Sequence, residues 1–165
     1  FRNHQQQSLK FDAAGPVFVA LPFDHRIAAE MVDSIRPFAD QGKKFLVKEH
    51  PMTPYDFCEQ PGILKTTKLL KDQEKISSVI YAATSVGLEA LVGGLPTFEF
   101  KPKNGMPMNI MPSGIEVPGI SAEDMGLIFS NNLLPPDINS ARIFSPPNYD
   151  IWRQMLAAED LPKTT

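Results

Sequence analysis

The sequence predicts an α/β fold, a doubly wound parallel sheet. Short apolar segments typical of buried strands alternate along the chain with helical segments, and β-α-β units of this kind pair in parallel with right-handed crossovers. Polar residues follow several of these strands, at the edge where open α/β sheets bind their ligands. The alternation therefore predicts the architecture, and the residues after the strands predict where a site would lie.

The first elements are regular. Residues 16–21 form a continuous apolar run, the pattern of a strand buried on both faces. An amphipathic helix is predicted at residues 25–40, with Asp24 as its N-cap and Gly42 as its stop. A second strand is predicted at residues 44–48. The apolar side chains of the helix recur every three or four residues, at Ile27, Met31, Ile35 and Phe38.

The alternation continues to residue 100, and prolines and glycines then predict a long loop over residues 101–119. The further strands are predicted at residues 63–67, 78–82, 97–100 and 115–117. The further helices are predicted at residues 68–75 with Thr67 as cap, 85–92, 121–130 with Ser121 as cap, and from Asn148 or Asp150 to residue 158.

Composition excludes several classes of protein. The chain has 165 residues and a net charge of −3, the size of one ordinary domain without steering toward nucleic acid or an acidic membrane surface. Its longest apolar run, residues 17–23, is far shorter than the roughly 20 residues that span a bilayer. The single cysteine, Cys58, excludes an internal disulfide and fits a reducing, cytoplasmic compartment. Because the three histidines lack zinc-ligand spacing and no Walker or Gly-x-Gly-x-x-Gly motif occurs, neither a metal nor a cofactor is expected.

The chain begins at Phe1 rather than at methionine, and its first fifteen residues are polar and Gln-rich without strand or helix periodicity. They have the features of neither a signal peptide nor a transit peptide. We therefore expect a linker at residues 1–15 and one domain at residues 16–165, both parts of a longer protein.

One group of candidate site residues follows the second predicted strand. Lys48 and His50 could supply positive charge or hydrogen-bond donors to a phosphate, and Pro51 would fix the backbone of the corner. The alternatives are that His50 is an exposed turn residue and that Glu49 is only a solvated charge.

A second group follows the strand at residues 78–82. Thr84 and Ser85 could donate hydrogen bonds to a phosphate or a carboxylate where the next helix begins, or they could serve only as helix caps. Gly87 lets a ligand or a neighbouring strand approach the first helical turn. Glu89, four residues after Ser85, could accept hydrogen bonds from ribose hydroxyls, or it could be an ordinary surface glutamate.

The order strand, His-Pro, strand, Thr-Ser-x-Gly-x-Glu-Ala-x-x-x-Gly-x-Pro resembles the C-terminal, nucleotide-sugar-binding half of GT-B glycosyltransferases. More narrowly, it is similar to the bacterial capsule and surface-polysaccharide group of sialyltransferases, Kdo transferases and teichoic-acid glycerophosphotransferases. The likeness covers about residues 17–100. It implies a Rossmann-like half of a GT-B fold that binds a nucleotide-activated donor, CMP- or CDP-linked rather than UDP-linked.

The resemblance also implies roles for single residues. His50 would contact the donor phosphate and stabilise the leaving group, Thr84 and Ser85 would bind the same phosphate or a donor carboxylate, and Glu89 would bind the ribose. Retaining enzymes often carry a glutamate where this chain has Tyr81, which argues for inversion or an unrelated use.

The same resemblance places the catalytic base and the acceptor site in an N-terminal domain. This half would therefore hold no catalytic residue beyond the leaving-group role of the His-Pro histidine, and it would be inactive alone. Any association with the inner face of the membrane would be peripheral, through the other half. The alternatives are a UDP-GlcNAc 2-epimerase-like domain on the same fold, although its usual Ser-Gly-Gly and Gln-Glu-Glu runs are replaced here, and a non-catalytic α/β interaction module.

Overall fold

The computed structural model describes residues 9–103, 105–106, 108, 110–129 and 149–157. Within these residues the strands form one sheet, all parallel, in the order β3-β2-β1-β4-β5-β6. The strands are β1 (Val17–Ala20), β2 (Phe45–Lys48), β3 (Ile63–Lys65), β4 (Ser78–Tyr81), β5 (Thr97–Phe100) and β6 (Gly119–Ile120). The predicted doubly wound α/β fold is confirmed.

Helices connect or follow these strands. The described α-helices are α1 (His25–Asp40), α2 (Val86–Val92) and α3 (Tyr149–Ala157), and shorter 3-10 turns occur at Leu70–Asp72 and Met125–Phe129. None of the helices in this described part of the chain combines the length and hydropathy needed to cross a bilayer.

The strand order reverses beside β1. The chain builds β1, β2 and β3 outward in one direction and then returns to place β4 on the free edge of β1, so that Val17 pairs with both Phe45 and Ser78. Because the strands are parallel, the residues after β1, β2 and β4 meet at one edge of the sheet, which we name the carboxyl edge (residues 21–24, 49–51 and 82–85). Ligands of open α/β sheets bind outside this edge, where the strand order reverses.

Both faces of the sheet are covered, and the central strand β1 is apolar throughout. Along β1, Val17 and Val19 pack in one cluster with α1, whereas Phe18 and Ala20 pack on the opposite face with α2. All four residues are buried. Burial of a side chain such as valine or phenylalanine contributes about 1.5–3 kcal/mol relative to exposure.

The predicted ends of α1 are confirmed. Asp24 has an extended backbone, and its carboxylate accepts a hydrogen bond from the backbone N–H of Arg26 at 2.9 Å, which makes it the N-cap. At the other end, Gly42 follows the C-cap with a φ of +85°, a left-handed conformation that glycine adopts without steric cost.

The prediction of a polar helix at residues 68–75 is wrong. One 3-10 turn, Leu70–Asp72, stands there, with extended backbone on both sides of it. Thr66, not the predicted cap Thr67, holds the start of this loop, because its hydroxyl accepts the backbone N–H of Lys68 at 3.3 Å. Within the turn only Leu70 is buried, so the segment has no apolar stripe that could stabilise a longer helix.

Two later predictions also differ from the structure, and a third corresponds to it. The last strand is Gly119–Ile120 rather than residues 115–117, because β5 pairs from the carbonyl of Pro118 onward. The helix predicted at residues 121–130 is the 3-10 turn Met125–Phe129, and residue 130 lies outside the described residues. The predicted last helix corresponds to α3, and residue 158 is likewise outside the description.

The predicted linker is described from Leu9 onward. Phe11 forms a parallel bridge with Ile76, and the backbone N–H of Asp12 donates to the Ile76 carbonyl at 3.0 Å. Leu9 packs against the apolar cluster on the α2 face. Residues 9–15 therefore contact the domain, near the start of β4 and the end of α2.

Candidate functional site

The structure places the two predicted groups of polar residues at the same edge of the sheet. Lys48 ends β2 and is followed by His50, while Thr84 and Ser85 follow β4. Since β1 lies between β2 and β4, the two groups are two strand spacings apart, about 10 Å. They flank the end of β1, where the strand order reverses.

The turn that leaves β4 is strained. Ala83 has a φ of 49°, and among the described residues it is the only one other than glycine with a positive φ. The left-handed conformation costs an L-residue about 1–2 kcal/mol. Strain of this kind is concentrated at functional sites, where the surrounding structure over-determines it. Here it sets the backbone immediately before Thr84.

The hydroxyl of Thr84 is buried and has no hydrogen-bond partner among the described residues. Ser85 is exposed and stands at the N-cap position of α2, but its side chain makes no capping hydrogen bond. Capping, the alternative role for this hydroxyl pair, is therefore not what these side chains do. The carbonyl of Thr84 instead accepts the backbone N–H of Gly87 at 3.2 Å.

His50 is half-buried and held by its own turn. Its Nδ1 accepts a hydrogen bond from the backbone N–H of Met52 at 3.4 Å and lies 3.3 Å from the hydroxyl of Thr53. In a neutral ring, an accepting Nδ1 places the proton on Nε2. Nothing in the described ranges bonds to Nε2, so this N–H is available to a ligand. Pro51 is exposed at the corner.

Two further predicted residues, Lys48 and Glu89, make their described contacts with other parts of the chain. Lys48 donates a hydrogen bond from Nζ to the carbonyl of Thr67 at 2.9 Å, and its charge reaches Glu89 of α2. Glu89 is exposed as a whole residue, yet partial desolvation raises the pKa of its carboxyl group, against the opposing effects of the backbone N–H of Lys71 and the two lysine charges. Glu49, by contrast, pairs with Lys65 at 3.2 Å rather than standing free.

A pH titration of stability tests the environment of Glu89. Because its pKa in the folded protein is raised above 4.5, the unfolded chain loses this proton first as the pH rises, and stability falls across that interval. We expect Glu89→Gln to become more stable than wild type between acidic pH and neutrality, with the difference vanishing well below pH 4.5.

Glu123→Gln is the control, and its stability should change with pH in the opposite direction. The ion pair with Lys103 lowers the pKa of Glu123, so Glu123→Gln should lose stability toward neutrality in the same urea series. A Glu89→Gln curve parallel to wild type over the whole range would show that its carboxyl is fully solvated.

Gly87 makes room for an aromatic ring. A Cβ on this residue would lie 2.6 Å from Cε1 and Cζ of Tyr81, which is fully buried at the end of β4. The sequence predicts that Gly87 lets either a ligand or a neighbouring strand come close, and in the structure it is Tyr81 of β4 that does so. The Tyr81 hydroxyl has no partner within the described residues, and burial, with a smaller contribution from Glu99, raises its pKa.

Sequence reasoning missed two residues of the carboxyl edge. Phe23, between β1 and α1, is 50% exposed, and its ring meets that of His50 edge-on with centroids 6.5 Å apart. Asp24 was predicted only as a cap, but its carboxylate occupies the first turn of α1, where dinucleotide-binding sheets place a pyrophosphate. One signal was available in the sequence. The turn between β1 and α1, residues 21–24, lacks the glycines with which dinucleotide-binding sheets approach a pyrophosphate. The Thr84 hydroxyl after β4, by contrast, has no partner among the described residues.

No protein-family model, curated protein or solved structure matches the chain. The fold is thus assigned from its own topology, and any activity is inferred from the carboxyl edge. Within the described residues, no group of three or more histidine, cysteine, aspartate or glutamate side chains is arranged to hold a metal ion.

Proposed function

We propose that this domain is the donor-binding half of a GT-B glycosyltransferase or glycerophosphotransferase of bacterial surface-polysaccharide biosynthesis. Its ligand would be a nucleotide-activated sugar or glycerol, CMP- or CDP-linked. The observation that carries the proposal is the unpartnered hydroxyl of Thr84 at the carboxyl edge, beside the reversal of strand order.

An unpaired buried hydroxyl demands an explanation. Leaving such a group without a partner costs about 1–3 kcal/mol, and ligand binding is one way in which native proteins recover it. Ser85 is exposed and can donate to a phosphate oxygen, and a small movement of the turn on binding would bring the buried Thr84 hydroxyl to the same anion. The strained backbone at Ala83 supports this assignment, because it holds Thr84 in place before any ligand arrives.

His50 would complete the anion site from the opposite side of β1. Its Nε2–H and the hydroxyls after β4 start from backbones about 10 Å apart, and the proposal requires both groups to donate to one phosphate between them. Hydrogen-bond donors fixed in advance around a leaving phosphate stabilise the charge that develops on it. Glu89, in the first turn of α2, would receive the ribose hydroxyls.

The proposed reaction divides between two domains. The bond from the donor carbon or phosphorus to the leaving phosphate oxygen breaks, and the nucleotide keeps the electron pair while this domain neutralises its charge. The acceptor hydroxyl forms the new bond and gives its proton to a base in the N-terminal domain. That domain would also provide the acceptor site and any contact with the inner face of the membrane.

Thr84→Val tests the proposal with two readouts. Removing an unpaired hydroxyl without changing the shape of the side chain should leave the free domain as stable as wild type or more stable by about 1 kcal/mol. The same change should weaken CMP binding about tenfold, since a hydrogen bond to a charged group is lost. Urea unfolding measures the first effect, and backbone amide shifts during a CMP titration measure the second.

Thr97→Val is the matched control. The Thr97 hydroxyl donates to the carbonyl of Leu95 at 2.8 Å. Thr97 begins β5 and therefore lies at the amino ends of the strands, opposite the carboxyl edge. This variant should lose about 1 kcal/mol of stability and bind CMP like wild type.

Three outcomes would contradict the proposal in different ways. Unchanged CMP affinity in Thr84→Val removes Thr84 from the site. No amide shifts with millimolar CMP, CDP or UDP overturns the nucleotide-binding function as a whole. Tighter binding of UDP than of CMP favours the 2-epimerase-like alternative.

A further inference from the structure

Phe23 is an exposed aromatic residue that the packing of the domain does not use. It belongs to neither apolar cluster of the core, and half of its surface reaches solvent. Its position is nevertheless rigid, because Pro22 precedes it with a fixed φ and Asp24 follows it as the hydrogen-bonded N-cap of α1. The ring is thus presented at the carboxyl edge by the two most constrained residues of that turn.

The ring also has a defined neighbour. Phe23 meets His50 edge-on, with an angle of 70° between the ring planes. This T-shaped arrangement is a favoured aromatic geometry and leaves a face of the phenylalanine ring unstacked. His50 is the residue whose Nε2–H is assigned to the phosphate in the proposed function, and its ring contacts Phe23, so Phe23 lies beside the proposed anion site.

We infer that Phe23 is the stacking platform for the nucleobase of the bound nucleotide. The inference rests on the proposed function and extends it to the part of the ligand that carries no charge. With the phosphate held between His50 and Thr84, the base is the flat group that can reach beyond the anion site, and an exposed aromatic ring matches its π-face. Stacking of this kind contributes about 1–3 kcal/mol per base and tolerates different bases.

This assignment divides recognition into two parts. The hydroxyls after β4 and the imidazole recognise the phosphate, which every nucleotide shares. Phe23 stacks on the base of any nucleotide, so a sugar phosphate without a base would bind more weakly than the nucleotide.

The test compares CMP with ribose 5-phosphate on the same chain. Wild type should bind CMP about tenfold more tightly than ribose 5-phosphate, and the cytosine H5 and H6 signals should move upfield as the base stacks. Phe23→Ala should reduce CMP affinity to that of ribose 5-phosphate while leaving the ribose 5-phosphate affinity unchanged. Phe23→Trp should retain the preference for CMP.

Phe11→Ala is the matched control, since Phe11 is also an exposed phenylalanine, 38% accessible, but lies beside Ile76 before β4. It should bind CMP like wild type. Because Phe23 lies outside the core, its alanine variant should unfold in urea near the wild-type midpoint.

Each other outcome contradicts the inference. If Phe23→Ala keeps the full preference for CMP, the base stacks elsewhere and the platform is wrong, although the phosphate site stands. If Phe23→Ala weakens CMP and ribose 5-phosphate equally, the ring contacts the sugar or supports the histidine rather than the base. If wild type binds neither ligand, the proposed function and the platform both fall.

Discussion

Gly87→Ala is expected to destabilise the domain by about 1–3 kcal/mol, the usual cost of forcing an added methyl group into a packed interior. The new Cβ would lie 2.6 Å from two ring atoms of Tyr81. That ring is fully buried between β4 and α2, so neither it nor the backbone of the short helix can move aside without disturbing the core. Urea unfolding followed by circular dichroism measures the loss.

Gly126→Ala provides the control, because its added Cβ would lie 3.7 Å from the Phe38 ring, an ordinary contact distance. We expect a change within about 0.5 kcal/mol. Combining Gly87→Ala with Tyr81→Leu should cost less than the sum of the two single changes, since the ring that opposes the methyl group is gone. Strict additivity would show that the clash with Tyr81 is not the cause.

Lys101→Met should cost about 3 kcal/mol because it leaves Glu99 buried without its cation. The Glu99 side chain is 6% exposed, and its Oε2 lies 2.7 Å from Nζ of Lys101. Methionine keeps much of the aliphatic packing of Lys101 against Gly119, so that loss of charge dominates. The expected value is the low end of the range for buried pairs, since Lys101 itself remains partly exposed.

Two further variants isolate the charge. Glu99→Gln combined with Lys101→Met should recover most of the lost stability, because no isolated carboxylate remains. Lys103→Met removes the cation of an exposed pair with Glu123 and should cost less than about 1 kcal/mol. Equal losses in Lys101→Met and Lys103→Met would mean that Glu99 is solvated in solution.

Much of this fold follows from patterns that are local in the sequence. The continuous apolar runs predicted the buried strands, and the three- and four-residue spacing of Ile27, Met31 and Ile35 predicted α1 with both its ends. The errors fall where no core-facing pattern constrains the chain. Residues 68–75 are polar with a single buried leucine, and hydrogen bonds that the Thr66 hydroxyl accepts from Lys68 and Gln73 hold their path instead.

The site could be predicted only as far as topology reaches. Parallel strands bring His50 and Thr84 to the same edge of the sheet whatever the orientation of their side chains. The shared edge could therefore be predicted from the order of strands and helices in the sequence. The left-handed backbone of Ala83 and the exposure of Phe23 depend on tertiary packing, which no spacing rule reports. The same holds for Gly87, whose neighbour is a tyrosine six residues earlier.

The start of α1 and the turn after β4 differ in whether their polar groups already have hydrogen-bond partners. The Asp24 carboxylate already accepts the backbone N–H of Arg26 in the first turn, so this N–H needs no ligand. The half after β4 retains an unmet hydroxyl, so a ligand that pairs with it there would add its binding free energy to the stability of the fold. Occupancy of the proposed site should therefore raise the free energy of unfolding of the domain.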